Sequence, residues 1–165
     1  MPRRFLWIFL RDEDGAVTID WVVLTAAIMG LSLASILLVY TGASVARAFF
    51  ITAGAFAGLS LYGYSTKRSL SAMGSFMIIG LFGLIIASIV NIFMASTQME
   101  FVISVGGVLI FAGLTAWDTQ RIKSMYMAGD SREVAAKKSI FGALTLYLDF
   151  INMFLFILRL FGNRE

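Results

Sequence analysis

The feature that most constrains this chain is a series of five apolar runs, each long enough to cross a lipid bilayer. A hydrocarbon core of about 30 Å is spanned by a helix of about 20 predominantly apolar residues. The runs cover residues 21–40, 45–64, 72–94, 101–120 and 139–161. The apolar fraction of 59% is above the roughly 45–50% of soluble domains. The sequence therefore predicts an all-α fold, a polytopic membrane helix bundle with five transmembrane helices.

The basic residues are distributed unevenly between the two sides of these spans. Ten Lys or Arg lie on the side of the N-terminus, and only Arg47, Arg159 and Arg164 lie on the other. Because cytoplasmic loops carry the excess of Lys and Arg, we expect the N-terminus in the cytoplasm and the C-terminus outside, in the periplasm. The net charge of +3 is thus a topology signal, so the expected partner is the lipid bilayer and not a nucleic acid.

Two residue types that carry much of enzyme chemistry are absent. The chain has no His and no Cys. It therefore lacks disulfides, thiol nucleophiles, the usual zinc ligands and a serine-histidine-aspartate triad. No nucleophile-base pair, metal cluster or phosphate-binding loop is visible, so we expect neither an enzyme nor a resident metal or cofactor.

Small residues are frequent inside the spans. Gly54 and Gly58 form a GxxxG pair, a pattern that lets helix backbones approach closely in membranes. The sequence therefore predicts close helix packing at this pair.

An acidic residue, Asp149, lies in the middle of the last apolar run. An Asp at the centre of a membrane helix costs roughly 2.5–3.5 kcal/mol on insertion scales, so such residues usually face a bundle interior or water and serve a function. Thr145, Asp149 and Asn152 follow an i, i+4, i+7 spacing, which places them on one helix face. That face is predicted to point away from lipid.

A second carboxylate, Asp118, ends the preceding run and shares a polar patch with Thr115. One interpretation is a helix-end residue near the headgroups that pairs with Arg121 at i+3. The other is that the two antiparallel helices bring Asp118 and Asp149 together. Repulsion and burial would then favour a shared proton. The hypothesis is a pH-sensitive latch or cation site, with Thr115, Thr145, Asn152 and Arg121 as supporting polar groups.

Four ordered motifs resemble a known family. They are LYGYSTKR at 61–68, GLIIASIVN at 83–91, FAGLTAWDTQ at 111–120 and GALTLYLDFIN at 142–152. Over about residues 28–164 the chain closely resembles the bacterial branch of the Bax inhibitor-1 family, also called the YccA type. The resemblance implies a seven-helix bacterial inner membrane protein. In that family an aspartate pair on the last two helices gates a pH-dependent leak of Ca²⁺. By motif, Asp118 and Asp149 take the positions of that pair.

The N-terminal segment departs from this pattern. Residues 9–27, FLRDEDGAVTIDWVVLTAA, resemble the start of a Flp-type pilin, which a prepilin peptidase cuts after a Gly that precedes an acidic residue by five positions. Gly15 and Asp20 have that spacing, so they mark a candidate processing site; alternatively, the segment is only a helix cap and stop-transfer flank. We therefore expect a pilin-like segment at 1–27, a Bax inhibitor-1-like domain at 28–165, and a truncated family fold that lacks two helices and their arginine.

Three functions are compatible with the sequence. The first is a pH-sensitive calcium or cation leak that uses Asp118 and Asp149. The second is a non-transporting membrane regulator that associates with itself or binds a membrane protease such as FtsH, to which bacterial relatives are linked. The third is a secreted pilin-like subunit, which the four additional spans disfavour. Flux that depends on the aspartates would separate the first from the second.

Overall fold

The computed structural model describes residues 13–164 and contains five helices within that range. They are α1 (Glu13–Val39), α2 (Gly42–Ser65), α3 (Ser71–Met94), α4 (Thr97–Met125) and α5 (Arg132–Phe161). Because these helices coincide with the five apolar runs, the predicted all-α fold class is confirmed. Helices α2 to α5 are long and apolar enough to span a membrane, whereas the described apolar part of α1, Val23–Val39, is shorter.

The chain divides into two compact units. The first contains α1 with Tyr40, Thr41 and Arg164, and the second runs from Gly42 to Asn163. In the first unit Tyr40 and Arg164 form an antiparallel bridge, and the guanidinium of Arg164 lies 5.8 Å from the centre of the Tyr40 ring. The backbones of Gly15 and Asp20 belong to α1, while their side chains lie outside the described part of the chain.

Helix α4 is the centre of the second unit, where it packs against α2, α3 and α5. Glycines make the close approaches to it. A Cβ added to Gly63 of α2 would overlap the carbonyl oxygen of Ala116, and one added to Gly74 of α3 would overlap the Trp117 ring. Since the hydrophobic effect does not drive helices together within lipid, such van der Waals contacts at small residues hold the bundle.

The predicted GxxxG pair does not take part in this packing. A Cβ built on Gly54 or on Gly58 meets no heavy atom of the described residues within 4 Å. The prediction of close packing at this pair was therefore wrong. Its physical reason is that α2 turns a different face, the one that carries Gly63, toward α4.

We call the end of the second unit where α2 and α4 finish and α3 and α5 begin the basic end. There, two side chains of α4 hold the turn between α2 and α3. Gln120 accepts a hydrogen bond from the Leu70 N–H at 2.8 Å and donates one to the Arg68 carbonyl at 2.7 Å. Lys123 donates to the Tyr64 carbonyl at 2.7 Å, in the last turn of α2. These contacts fix α4 to the α2–α3 turn.

At the opposite end, local capping bonds close the turn between α3 and α4. Ala95 has a left-handed backbone with φ 47°, and its N–H donates to the Asn91 carbonyl. The Asn91 side chain accepts from the Ser96 N–H, and Ser96 in turn caps α4 by accepting from the Met99 N–H. Across the bundle, the Asn163 N–H donates to the Ser44 hydroxyl at 2.9 Å, which ties the end of α5 to the start of α2.

The turn between α4 and α5 is closed by an ion pair. Lys138 donates to Asp130 Oδ2 at 2.7 Å and also to the Met125 carbonyl at the end of α4. The same carboxylate oxygen accepts from the Met127 N–H at 3.1 Å. The hydrogen bond from Lys138, with a smaller contribution from the Met127 N–H, lowers the pKa of Asp130 below its usual value.

The close approach of α2 to α4 predicts the effect of one added methyl group. We expect Gly63→Ala to destabilise the folded chain by about 1–3 kcal/mol, because the new Cβ would force the α2 and α4 backbones apart. The matched control is Gly58→Ala on the same helix, where the space is open and Ala is the better helix former, so its effect is neutral or stabilising by up to about 1 kcal/mol. Unfolding in detergent micelles measures both, and equal stability of the two variants would contradict the packing described above.

The lowered pKa of Asp130 predicts how the stability of the α4–α5 turn depends on pH. A carboxyl whose pKa is lower in the folded state stabilises that state above the unfolded pKa of about 3.9, and the contribution disappears as the pH falls through the lowered value. Asp130→Asn is therefore expected to increase amide hydrogen exchange in residues 126–131 at neutral pH and to exchange like the wild type in strong acid. Both proteins are compared at each pH so that intrinsic exchange cancels. If the wild-type turn is not protected from exchange even at neutral pH, the ion pair between Asp130 and Lys138 does not stabilise it.

Candidate functional site

The structure brings Asp118 of α4 and Asp149 of α5 together. Their side chains are 6% and 5% exposed, and the two carboxyl groups lie within hydrogen-bonding contact of each other. The antiparallel arrangement of α4 and α5 produces this juxtaposition, because each helix carries its aspartate on the face packed against the other. Two carboxylates from different helices thus share one buried position inside segments that can span a membrane.

One oxygen of this pair has no partner. Asp149 Oδ2 is buried and makes no hydrogen bond to any residue that the structure describes. Neither aspartate forms an ion pair within 4.0 Å among the described residues. An unsatisfied buried acceptor is costly, and two ionised carboxylates in contact repel strongly in a low dielectric. The arrangement is therefore suited to holding one proton between the two carboxyl groups, as in other carboxylate pairs.

The predicted supporting groups bind their own helices instead of the aspartates. Thr115 is fully buried and donates to the Phe111 carbonyl at 2.7 Å. Thr145 donates to the Phe141 carbonyl and Asn152 to the Leu148 carbonyl, at 2.9 and 2.8 Å. Each bond runs back four residues, which is the nearest acceptor for a short polar side chain in a helix. These residues lie on the same helices as the pair, but the hydrogen bonds that their side chains donate go to the backbones of those helices.

Arg121 also differs from its predicted role as an ion-pair partner of Asp118. Its guanidinium lies 5.4 Å from the centre of the Trp117 ring and 5.9 Å from that of Phe141. Its charge acts on Asp118 without a direct contact. The cation is therefore held by two aromatic rings, an arrangement with its own favourable energy. The interpretation of Asp118 as a simple helix-end partner of Arg121 is wrong, because Asp118 contacts Asp149.

Ser60 on α2 was not identified from the sequence. Its hydroxyl oxygen is buried and makes no hydrogen bond. Thr52 on the same helix, by contrast, is fully buried and donates to the Ala48 carbonyl at 2.7 Å.

The described residues contain no group of three or more His, Cys, Asp or Glu side chains that could hold a metal ion. The pair supplies carboxylate oxygens from two residues, whereas Ca²⁺ takes six to eight oxygen ligands in proteins.

Comparison with known proteins gives consistent matches along nearly the whole chain. The family model described as "Inhibitor of apoptosis-promoting Bax1" matches residues 5–165. The "Inner membrane protein YbhL" of Escherichia coli K12 is 49% identical over 158 residues, which are 94% of this chain and 68% of YbhL. The RP147 protein of Rickettsia prowazekii is 54% identical over 140 residues, or 85% of this chain and 59% of RP147. The chain thus spans about three fifths to two thirds of the length of these relatives.

The N-terminal segment falls inside these matches. The family match begins at residue 5 and the YbhL match covers 94% of the chain, so both include much of the segment expected to be pilin-like. The resemblance of residues 9–27 to a Flp-type pilin finds no support in these similarities. The same residues are accounted for by the family that matches the rest of the chain.

Proposed function

The chain belongs to the Bax inhibitor-1 family and is a multi-pass membrane protein, and we propose that it passes cations, Ca²⁺ among them, through a bacterial inner membrane under the control of its Asp118–Asp149 pair. The observation that supports this function is the contact between two buried carboxyl groups on adjacent spanning helices, with Asp149 Oδ2 unpaired. Ionisable residues at such depth commonly mark ion pathways or proton relays.

The control follows from the charge of the pair. With one proton between them, the carboxyl groups attract each other and α4 and α5 stay in contact. Loss of that proton places two negative charges side by side, which repel each other and attract a cation. Proton uptake and cation entry thus compete for the same oxygens, and flux through the pair changes with pH.

The basic end supports an orientation with that end in the cytoplasm. Lys67, Arg68, Arg121, Lys123 and Lys138 all lie there, whereas Arg47 and Arg159 lie toward the other end of the second unit. By the positive-inside rule, the N-terminus would then be cytoplasmic and the C-terminus periplasmic. The printed name of the YbhL relative supports the inner membrane as the location.

The alternative is a non-transporting regulator that binds a membrane protease such as FtsH. One observation favours it: α3 packs along α4, yet none of its most apolar window is buried within the structure. Such a surface is available to lipid or to another membrane helix. Either function is proposed to be non-enzymatic, since the chain has no His or Cys to serve as nucleophile or base.

If the protein is a cation leak of the proposed kind, the pH dependence of its flux depends on Asp118 and Asp149. In liposomes loaded with a Ca²⁺-sensitive dye, we expect Asp149→Asn and Asp118→Asn to insert normally and to abolish the change in flux between about pH 5 and about pH 8. The matched control is Glu133→Gln, which removes a carboxylate from α5 whose side chain is 49% exposed and pairs with Lys137. Identical pH profiles for all four proteins would reject the aspartate mechanism and favour the regulator.

The proposed orientation predicts the result of reporter fusions. A reporter joined after Arg68 is expected in the cytoplasm and one joined after Arg164 in the periplasm, because the basic end is retained inside. Alkaline phosphatase and a fluorescent protein, which are active on opposite sides, give complementary signals. If both fusions report the same side, the orientation or the number of spans is wrong.

A further inference from the structure

An open cavity of about 390 Å³ lies at the basic end, apart from the aspartate pair. It is lined by Tyr64, Thr119, Ile122, Lys123, Tyr126 and Leu146. We propose that this cavity binds one anionic phospholipid of the surrounding leaflet, with the phosphate at Lys123 and an acyl chain against Ile122 and Leu146. The proposal does not depend on whether the protein conducts cations.

Lys123 supplies the positive charge at this site. Its ammonium donates to the Tyr64 carbonyl at 2.7 Å and lies 4.3 Å from the centre of the Tyr64 ring. These two contacts hold the end of a long, flexible side chain in place. An ammonium has three donors, so two remain for a phosphate oxygen once the carbonyl is satisfied. The charge is thus positioned before any lipid arrives, which reduces the entropy lost on binding.

The surroundings of Lys123 fit an anionic headgroup. Tyr64 and Tyr126 are exposed, and tyrosines are enriched where a membrane protein meets the headgroup region. No acidic residue lines the cavity, and the carboxylate of Asp130 in the neighbouring turn is paired with Lys138. Basic pockets between helices on the cytoplasmic side are typical sites for anionic lipids.

The inner wall of the cavity distinguishes a lipid from a free phosphate. Ile122 and Leu146 provide aliphatic surface from α4 and α5, and Ile122 is also the residue that faces Gly142 across this helix pair. Covering that surface with an acyl chain gains hydrophobic contact that inorganic phosphate cannot supply. The cavity volume lies within the range of about 300–1,000 Å³ found for ligand sites.

The test compares two lipids that differ only in headgroup charge. The full chain in a neutral detergent is titrated with phosphatidylglycerol or with phosphatidylcholine of the same acyl chains, and bound lipid is counted by native mass spectrometry. We expect phosphatidylglycerol to bind more tightly, and Lys123→Gln to weaken it by about five-fold, the effect of one Lys at an anionic surface. Lys67→Gln removes the same charge from the same end but does not line the cavity, so binding should be unchanged.

A second variant keeps Lys123 and fills the cavity. Leu146→Phe places a larger side chain in the apolar wall and so reduces the volume of the cavity. We expect it to weaken phosphatidylglycerol binding while leaving Lys123 and its Tyr64 contacts in place. If Lys123→Gln does not fold, this variant decides by itself, and unchanged binding refutes the site. Equal affinity for the two lipids, or equal losses in the Lys67 and Lys123 variants, would overturn the proposal. The proposal would also be overturned if inorganic phosphate competed for the cavity as well as the lipid does, because the ligand would then be a free anion.

Discussion

The packing of α4 against three neighbours is the constraint on which the rest of the second unit depends. Within lipid, helices gain little from burying apolar surface against each other, so association relies on close van der Waals contact and on hydrogen bonds between helices. Gly63 and Gly74 supply the close contact from α2 and α3. From α5, the Phe156 ring packs onto Gly107 of α4. Because all these contacts converge on α4, its side chains are placed accurately relative to the other helices.

The aspartate pair and the basic end follow from that placement. Asp118 on α4 meets Asp149 because the Gly107–Phe156 and Ile122–Gly142 contacts fix the register of α4 and α5 on both sides of the pair. Two residues further along α4, Gln120 meets the α2–α3 turn, and three residues beyond it Lys123 meets the last turn of α2. The same helix thus presents a carboxyl group to the bundle interior and, nearer its end, polar side chains to the backbone of another loop.

The sequence predicted the apolar helices well and their polar extensions poorly. The run predicted at 72–94 is α3, Ser71–Met94, within one residue. The runs at 101–120 and 139–161, however, belong to helices that extend to Met125 and begin at Arg132. Hydropathy marks the part of a helix that suits lipid, whereas the helix continues as long as caps and turns allow. Ser131 caps α5 by accepting from the Val134 N–H, a local signal that the apolar pattern does not contain.

For the site, the spacing of polar residues identified the aspartates but not their environment. Their positions within two long apolar runs made contact between them one of two interpretations, the other being a helix-end Asp118 paired with Arg121, and the structure shows the contact. The role of Thr145 and Asn152 was not predictable from a shared face, because a helix offers each side chain an acceptor four residues earlier. Likewise, Arg121 was assigned by sequence spacing to Asp118, although its guanidinium lies over the rings of Trp117 and Phe141 and forms no ion pair with a described residue.

Hydrogen bonds at the two ends of α5, here called ties, restrain this helix against repulsion between the two carboxyl groups. At its start, Lys138 is bonded to Asp130 and to the Met125 carbonyl; at its end, the Asn163 N–H is bonded to Ser44 of α2. Asp149 lies between these ties, on a helix that is held at both ends. If both carboxyl groups were ionised, α5 would have to bend away from α4 or break one tie. Both ties are partly buried hydrogen bonds, and the one from Lys138 is charge-assisted, so they oppose separation of the pair at both ends of α5.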